Sequence, residues 1–441
     1  MFGSLTLKNF RCYKDLRVEF KNKRGTVKPR IYIYGDNASG KSSLLSSFAF
    51  LRKMNNGLYL NYLLETRDNP KYDHPSIELF NLRDEAKRHY RIFAQDNMVL
   101  AYEMILDGQV FVYEIVFNQY QEIVSESLFK RINNRAIIIF TASPTDFSFG
   151  RGMILTKDIP VIQNLYDTYY GEHTMLSILN FIIERQSVYK IAIKYTLLDV
   201  CMFIRRMHIG VEPYYDHQAY FNFFTDNNIT PFSGTHDPIG KLAFEKAQPL
   251  LSALLVTLFP NVIEAYYAFT HKGKDLWEYE LKVVKKGIEG NYTIPFGEFP
   301  SGTYDFVNKI FALFDALMGS TLIGDDFDLS LHTFLVQHII EYYMPQIEGQ
   351  TFLTMDKLST MNIVDPASIY ICSANTDLSY TVNCIEDIAP TQANHNVRNR
   401  YEQGVYGELH RPQFVKNDAY FVEFKKWVQQ VHRVMYKEDL F

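Results

Sequence analysis

Cysteine is scarce in this chain, and the few present are badly placed for chemistry. Cys12, Cys201, Cys372 and Cys384 lie far apart with no C-x-x-C pair. That argues against a zinc site, a dithiol motif or a disulfide framework, and suits a reducing, cytoplasmic setting. The 12 histidines are scattered without paired ligand spacing, and no H-N-H cluster of a nuclease is present. Apolar runs such as Ala136 to Phe140 fall far short of the roughly 20 residues a bilayer crossing needs, so no membrane role is expected. The chain opens on an alternating strand pattern, not on a basic-then-apolar leader. Internal repeats, low-complexity tracts and sustained heptads are all missing, which excludes a coiled-coil arm. A formal net charge of -5 supplies no global basic field, so any nucleic-acid contact, which the sequence leaves open, must come from a local patch.

What the chain does have is length and aromatic side chains. Its 441 residues exceed one ordinary core, which predicts two or more lobes. The 31 Tyr and 34 Phe far outnumber the 2 Trp, a supply of large apolar rings for packing.

The most informative stretch runs from Arg30 to Leu45. An alternating apolar run, Arg30-Ile-Tyr-Ile-Tyr34, leads into a Gly-rich turn and then an apolar helix start. The turn spells G-x-x-x-x-G-K-S: Gly35, Asp36, Asn37, Ala38, Ser39, Gly40, Lys41 and Ser42, followed by Ser43. This is the phosphate-binding loop pattern. Gly35 and Gly40 let backbone amides approach phosphate oxygens. Lys41 is expected to reach the β- and γ-phosphates, and the Ser42 hydroxyl to serve Mg²⁺. The helix that starts there turns its positive end toward the anion. The expected ligand is a nucleoside triphosphate, ATP, with Mg²⁺.

Around this loop the patterning predicts an α/β chain. Residues 4–20 read as two period-2 strands about a turn, and a basic turn over 21–30 feeds the loop strand. A helix follows from Ser42 to about Leu64, then a polar, irregular stretch over 68–90. Strands return from Met98 to Phe140, with Asp107-Gly108 as a hairpin turn. Residues 151–240 change to helical spacing and read as an inserted helical lobe. It ends in an aromatic loop region over 211–237, whose stretch from Phe221 to Phe232 offers a partner surface. A helix over Lys241 to Leu258 and strands at 263–270 and 276–285, joined at His271-Lys-Gly-Lys274, come next.

Two later stretches complete a nucleotide site. Ser301, Gly302 and Thr303 open a helix running to about Met318, where amides and a hydroxyl suit an anion. Then Ser320-Thr-Leu-Ile-Gly-Asp325-Asp326-Phe-Asp328 is an apolar strand ending in acids. Its first carboxylate, Asp325, is placed to serve Mg²⁺ and its second, Asp326, to polarise the attacking water. Phosphate loop, Ser-Gly helix and acidic strand occur in the order of ABC-type ATPases.

With Lys8-Asn-Phe-Arg-Cys-Tyr13 and Arg400-Tyr-Glu-Gln-Gly-Val-Tyr-Gly407, the set resembles the SMC/RecF-like branch of ABC ATPases. It is most similar to stand-alone prokaryotic ATPases of the OLD/RloA/AbiL/AriA kind. The resemblance implies an ABC-ATPase head: a mixed β-sheet with flanking helices plus an antiparallel β subdomain and an inserted helical lobe. Residues 1–150 and 241–410 are then its two parts, 151–240 the insertion, and 411–441 a C-terminal helical tail. It further implies a homodimer closing as a head-to-tail ATP sandwich, with higher assembly left open. Ser301, Gly302 and Thr303 would act in trans, with Asp328 as the D-loop residue and Arg11 near the phosphates. Lys41 and Asp326 carry the catalytic roles. The roughly 260 residues between Lys41 and Ser301 exceed the needs of a transporter nucleotide domain and fit a compact head with an insert.

Three departures from the pattern bear on turnover. Asp326 stands where Glu is usual, and one methylene less withdraws the carboxylate by roughly 1.5 Å. In Phe352-Leu-Thr-Met-Asp356, Met355 takes the switch-histidine place and cannot donate a hydrogen bond. Gly324 interrupts the apolar run of the acidic strand. Slow hydrolysis with binding intact is the expectation. After Asp356 no Asp-x-Asp occurs in a TOPRIM-like setting, so no built-in nuclease is expected. Members of this length resemble the sensor half of an anti-phage or abortive-infection system whose toxin or nuclease effector is separately encoded. The alternative is a RecF/SMC-like DNA-repair ATPase.

Overall fold

The alternation of the opening residues forms a hairpin of β1 (Phe2–Phe10) and β2 (Tyr13–Glu19) in the computed structural model of the protein. The structure describes residues 1–66, 79–133, 135–189, 191, 193–210, 232–236, 238–273, 276–299, 302–303, 307, 309, 312–313, 316–329, 331–377, 379–392, 395–407 and 422–430. Two compact units are present, Met1–Glu408 and Leu409–Phe441. In the second, the described residues 422–430 are helical, with the rings of Phe424 and Trp427 stacked.

Within the first unit, β3 (Arg30–Tyr34) leads through the Gly-rich turn into α1 (Lys41–Glu65). A short amphipathic helix, α2 (Leu82–His89), follows, capped by the Asn81 side chain. It occupies the later part of the stretch expected to be irregular, whose residues 68–78 lie outside the described residues. Strands β4 (Met98–Leu106), β5 (Gln109–Phe117), β6 (Ile123–Ile132), β7 (Arg135–Ser143) and β8 (Asp146–Phe149) come next. They extend the hairpin into a seven-stranded antiparallel sheet of order β2-β1-β4-β5-β6-β7-β8. Asp107 and Gly108 both take positive φ, +48° and +72°, the backbone of a two-residue type I′ turn between β4 and β5.

The expected helical segment is present as α3 (Ile159–Tyr169), α4 (Met175–Glu184), α5 (Gln186–Tyr189) and α6 (Tyr195–Arg205). It is built into the core of the first unit. Thr174 Oγ1 donates to Met54 O, Leu58 N–H to Ser177 Oγ and Asn55 Nδ2 to Cys201 O, each bond tying α1 to this segment. The segment then returns to strands, β9 (His208–Gly210) and β10 (Ser233–His236). Most of the aromatic loop expected over 211–237 lies outside the described residues.

Helix α7 (Pro238–Leu258) precedes an antiparallel sheet of β10, β11 (Val262–Gly273), β12 (Leu276–Lys286) and β13 (Asn291–Pro295). Here β11 runs past the expected His271 turn to Gly273. The last strands are β14 (Leu322–Gly324), β15 (Thr351–Thr354), β16 (Ile369–Ala374) and β17 (Tyr380–Cys384).

The central sheet has the order β17-β16-β3-β15-β14-β9, parallel except for β17. Its inner strands are short; β14 and β15 are buried throughout and β3 and β16 at all but one end residue, as a sheet covered on both faces requires. Gly324 does not interrupt β14: it pairs with Leu353 on one side and Gly210 on the other. A Cβ there would come within 3.0 Å of the Leu353 side chain, so the glycine admits its neighbour.

Aromatic rings fuse the antiparallel sheet, α1 and the central sheet. Phe2 and Phe48 meet edge to face at 4.8 Å, as do Phe20 and Phe352 at 4.9 Å, while Phe48 and Phe352 lie tilted at 4.8 Å. Buried Gln350 closes the seam, accepting from Phe2 N–H at 2.6 Å and donating to Phe2 O and Lys28 O at 3.0 Å. Cutting Phe48 back to Ala would cost about 3–5 kcal/mol in a site so enclosed.

Candidate nucleotide site

Parallel strands end together, so whatever follows β3, β14 and β15 collects at one edge of the sheet. β3 delivers Gly35, and α1 begins at Lys41 after an N-cap, Gly40, with φ +102°. Both glycines are required by contact. A Cβ at Gly35 would sit 2.3 Å from Cys372 O on β16, and one at Gly40 2.7 Å from the Tyr13 hydroxyl. That hydroxyl donates to Gly40 O at 3.0 Å, so the β1–β2 hairpin steadies the loop.

Within the loop, Ser39 N–H donates to Asp36 O at 3.1 Å, Ala38 takes φ +63°, and Asn37 and Ala38 are exposed. Ser39 is buried, and its Oγ has no hydrogen-bond partner. Ser42 is exposed on the first turn of α1, while Ser43 bonds the Cys12 thiol. Lys41 is buried and folded back on its own loop, with Nζ donating to Gly35 O at 2.8 Å and to Asp36 O at 3.4 Å.

The acidic strand is not the loop strand's neighbour, because β15 lies between β14 and β3. Thr354 at the end of β15 bridges the gap: its Oγ1 donates to Asp325 Oδ1 at 2.5 Å and accepts from Asp326 N–H at 2.7 Å. Asp325 is buried and Asp326 half-buried, the latter with φ +46°. Burial, then the neighbouring Asp325 and Asp356, raise the Asp326 carboxyl above the ordinary aspartate range, while Lys41 pulls it down.

Met355, expected at the switch position, turns away from the loop. Its side chain is buried and its N–H donates to Ile33 O. The next residue, Asp356, faces the loop instead, with Oδ1 3.5 Å from Lys41 Nζ. Strand period explains the difference: Thr354 and Asp356 share one face, and Met355 takes the other. The same alternation read from the sequence would have identified Asp356. Thr354, a plain strand residue by pattern, carried no such signal.

Asp328 is fully buried, and its carboxylate serves its own chain. Oδ1 accepts from Asp356 N–H at 2.9 Å and Oδ2 from Lys357 N–H at 2.7 Å, while Lys357 Nζ donates to Asp328 O. Arg11, with φ +47°, is likewise engaged in cis, Nε donating to Nδ1 of His89 at 2.9 Å. Burial first, then Arg11, Lys53 and Arg88, hold that imidazole well below its usual range, so it accepts as a neutral ring. Gly302 and Thr303 are helical and half-buried, while Ser301 lies outside the described residues. From the C-terminal motif, buried Tyr401 lies within electrostatic reach of Asp36, and Arg400 stacks over Tyr406 at 5.2 Å.

The residues fit a magnesium nucleotide. Lys41 folded onto loop carbonyls and the unpartnered Ser39 hydroxyl are groups that phosphate oxygens satisfy. Among the described residues no cluster of three His, Cys, Asp or Glu surrounds a metal position. Mg²⁺ in phosphate sites typically takes one or two side-chain oxygens and completes its shell with phosphate and water, which Ser42 and Asp325 can supply.

Comparison with known proteins bears on the same segment. No curated protein matches the chain. Among solved structures, an Smc head bound to the C-terminal winged-helix domain of ScpA is 12% identical, covering 87% of this chain and 97% of that one with a TM-score of 0.45. The Pyrococcus furiosus Smc head with an extended coiled coil is 12% identical over 87% and 95%, TM-score 0.40. The Thermotoga maritima SMC head is 10% identical over 87% and 99%, TM-score 0.38. No described helix is long and apolar enough to cross a membrane. Residues 1–147 match the AAA ATPase domain family, a span that takes in β3, the whole phosphate loop and α1.

Proposed function

We propose that the chain is an ATP-gated clasp. The loop from Gly35 to Ser43 binds the triphosphate, with Lys41 on its β- and γ-phosphates and Ser42 and Asp325 holding Mg²⁺. The cation would neutralise phosphate charge, and Asp326 would orient the attacking water. The observation that carries this reading is the gathering of Lys41, Asp325, Asp326 and Asp356 into one charged cluster at the C-terminal edge of the parallel sheet.

Slow turnover is part of the proposal. Asp326 is one methylene shorter than the usual glutamate, and a misplacement of about 1 Å can cost on the order of 100-fold. The residue facing Lys41 after β15 is a carboxylate, which accepts hydrogen bonds and donates none when ionised.

On the motif resemblance, two heads close head to tail, with Ser301, Gly302 and Thr303 of each reaching the nucleotide of the other. The closed dimer then holds or releases a separately encoded toxin or nuclease in anti-phage defence. Support for this part is the ordered motif set. Nuclease chemistry is assigned to the partner protein.

Titrating the protein with MgATP tests the first part: micromolar-range binding lost in Lys41→Ala supports it, and equal affinity in both proteins ends it. Co-expression with the product of the adjacent gene, followed by sizing, tests the second. A nucleotide-dependent complex supports the sensor role. Steeply salt-dependent DNA binding without such a complex points instead to a repair ATPase.

A further inference from the structure

Asp356, after β15, makes an ion pair with the phosphate-loop lysine. Its Oδ1 is 3.5 Å from Lys41 Nζ. The Lys41 side chain is 9% exposed and that of Asp356 40%, so one partner is fixed in the loop and the other borders solvent. The carboxylate is held in position by the backbone: Asp328 grips the N–H groups of Asp356 and Lys357, fixing the turn whatever the Asp356 side chain does. Lys41 Nζ also donates to Gly35 O and Asp36 O, which leaves its third N–H and its charge to Asp356 while the site is empty. A bound triphosphate would present its oxygens to the same ammonium.

We propose that Asp356 is a competitor for the phosphate: it holds Lys41 while the site is empty, must yield it to the triphosphate, and so makes nucleotide binding conditional on a divalent cation. The inference rests on the nucleotide reading of the loop and deepens it. A triphosphate without metal brings about four negative charges to a place where Asp356 already pairs with Lys41 and Asp326 is in electrostatic reach of Asp325, Asp356 and Lys41. Like charges in a part-buried setting repel strongly, and a divalent cation offsets that repulsion. Asp356 is thus a positioning and specificity residue acting through Lys41, and does not touch the scissile bond.

The test is equilibrium titration of the full chain with ATP, once with Mg²⁺ and once with EDTA. Wild type, Asp356→Asn, Asp356→Ser, Asp326→Asn and Lys41→Ala are compared, each checked for native melting. Wild type should bind MgATP far better than metal-free ATP. Asp356→Asn, which keeps the side-chain shape and the N–H bond to Asp328, should tighten MgATP by about fivefold. It should tighten metal-free ATP by more, about tenfold or above, narrowing the metal dependence. Asp356→Ser should behave alike. Asp326→Asn, which removes a carboxylate that makes no ion pair with Lys41, should tighten less. Unchanged or weaker binding in both Asp356 variants overturns the competitor role, as does equal tightening in Asp326→Asn. If wild type binds and Lys41→Ala does not, only the competitor has failed. If wild type binds no ATP under either condition, the nucleotide reading has failed with it.

Discussion

Thr354 and Asp325 are joined by a 2.5 Å hydrogen bond from the threonine hydroxyl to the carboxylate, across the boundary between β15 and β14. The same oxygen receives the N–H of Asp326. One side chain thus sets the spacing of both acids relative to the strand that lies beside the phosphate loop. Replacing Thr354 with Val keeps the shape and removes both bonds, leaving a buried carboxylate and an amide without that partner. A loss of about 1–3 kcal/mol in urea denaturation is expected, with Thr354→Ser near wild type. Equal stability of Val and Thr variants would show that the hydroxyl does not organise the site.

Lengthening Asp326 to Glu tests whether reach limits turnover. The extra methylene should raise single-turnover hydrolysis by about tenfold or more if the carboxylate is now too short. The backbone sets an opposing effect. Asp326 sits at φ +46°, a conformation Asp tolerates better than Glu, so a stability loss on the order of 1 kcal/mol should accompany the gain. Hydrolysis that falls in Asp326→Glu, with stability unchanged, would contradict both halves.

Glu126 on β6 is a buried carboxylate at the N-terminus of α4. It accepts from Met175 N–H at 2.7 Å, Leu176 N–H at 2.9 Å and Tyr113 Oη at 3.0 Å, with Tyr166, Tyr170 and Cys201 also in electrostatic reach. Burial wins over these bonds and pushes its pKa up to about 7. A carboxyl raised in the fold binds its proton there more tightly than in the unfolded chain, so its contribution to stability is lost as pH rises from about 4.5 through 7. His89 and His173, both depressed by burial, act oppositely and lose stability as pH falls below the ordinary histidine range. The difference between wild type and Glu126→Gln isolates the carboxylate. From pH 5 to 8 wild type should lose up to about 3 kcal/mol relative to the variant. Parallel pH curves for the two proteins would refute this.

Local grammar made the first half of the site legible. A strand, a Gly-rich turn and a helix are contiguous, so Arg30 to Ser43 could be read from their own spacing. The acidic pair was legible for the same reason. What depends on sheet order was not. Nothing local places β15 between β3 and β14, so Thr354 gave no sign of bridging Asp325 and Asp326. A one-residue shift at a strand end exchanges faces, so the motif alone does not show that Asp356, next to Met355, pairs with Lys41. Asp328 and Arg11 could be named from the motif, but their partners, Lys357 and His89, are far along the chain. Likewise, helical spacing over 151–205 was plain, while its hydrogen bonds to Met54, Asn55 and Leu58 on α1 were not.

The most direct measurement is light scattering of the wild-type chain and of Lys41→Ala, each without nucleotide and with MgATP. A nucleotide-gated clasp predicts that wild type doubles its mass only with MgATP, while Lys41→Ala keeps the mass of the nucleotide-free protein in both conditions. A wild-type mass indifferent to MgATP at concentrations that saturate binding, or a Lys41→Ala chain that still doubles, would contradict it.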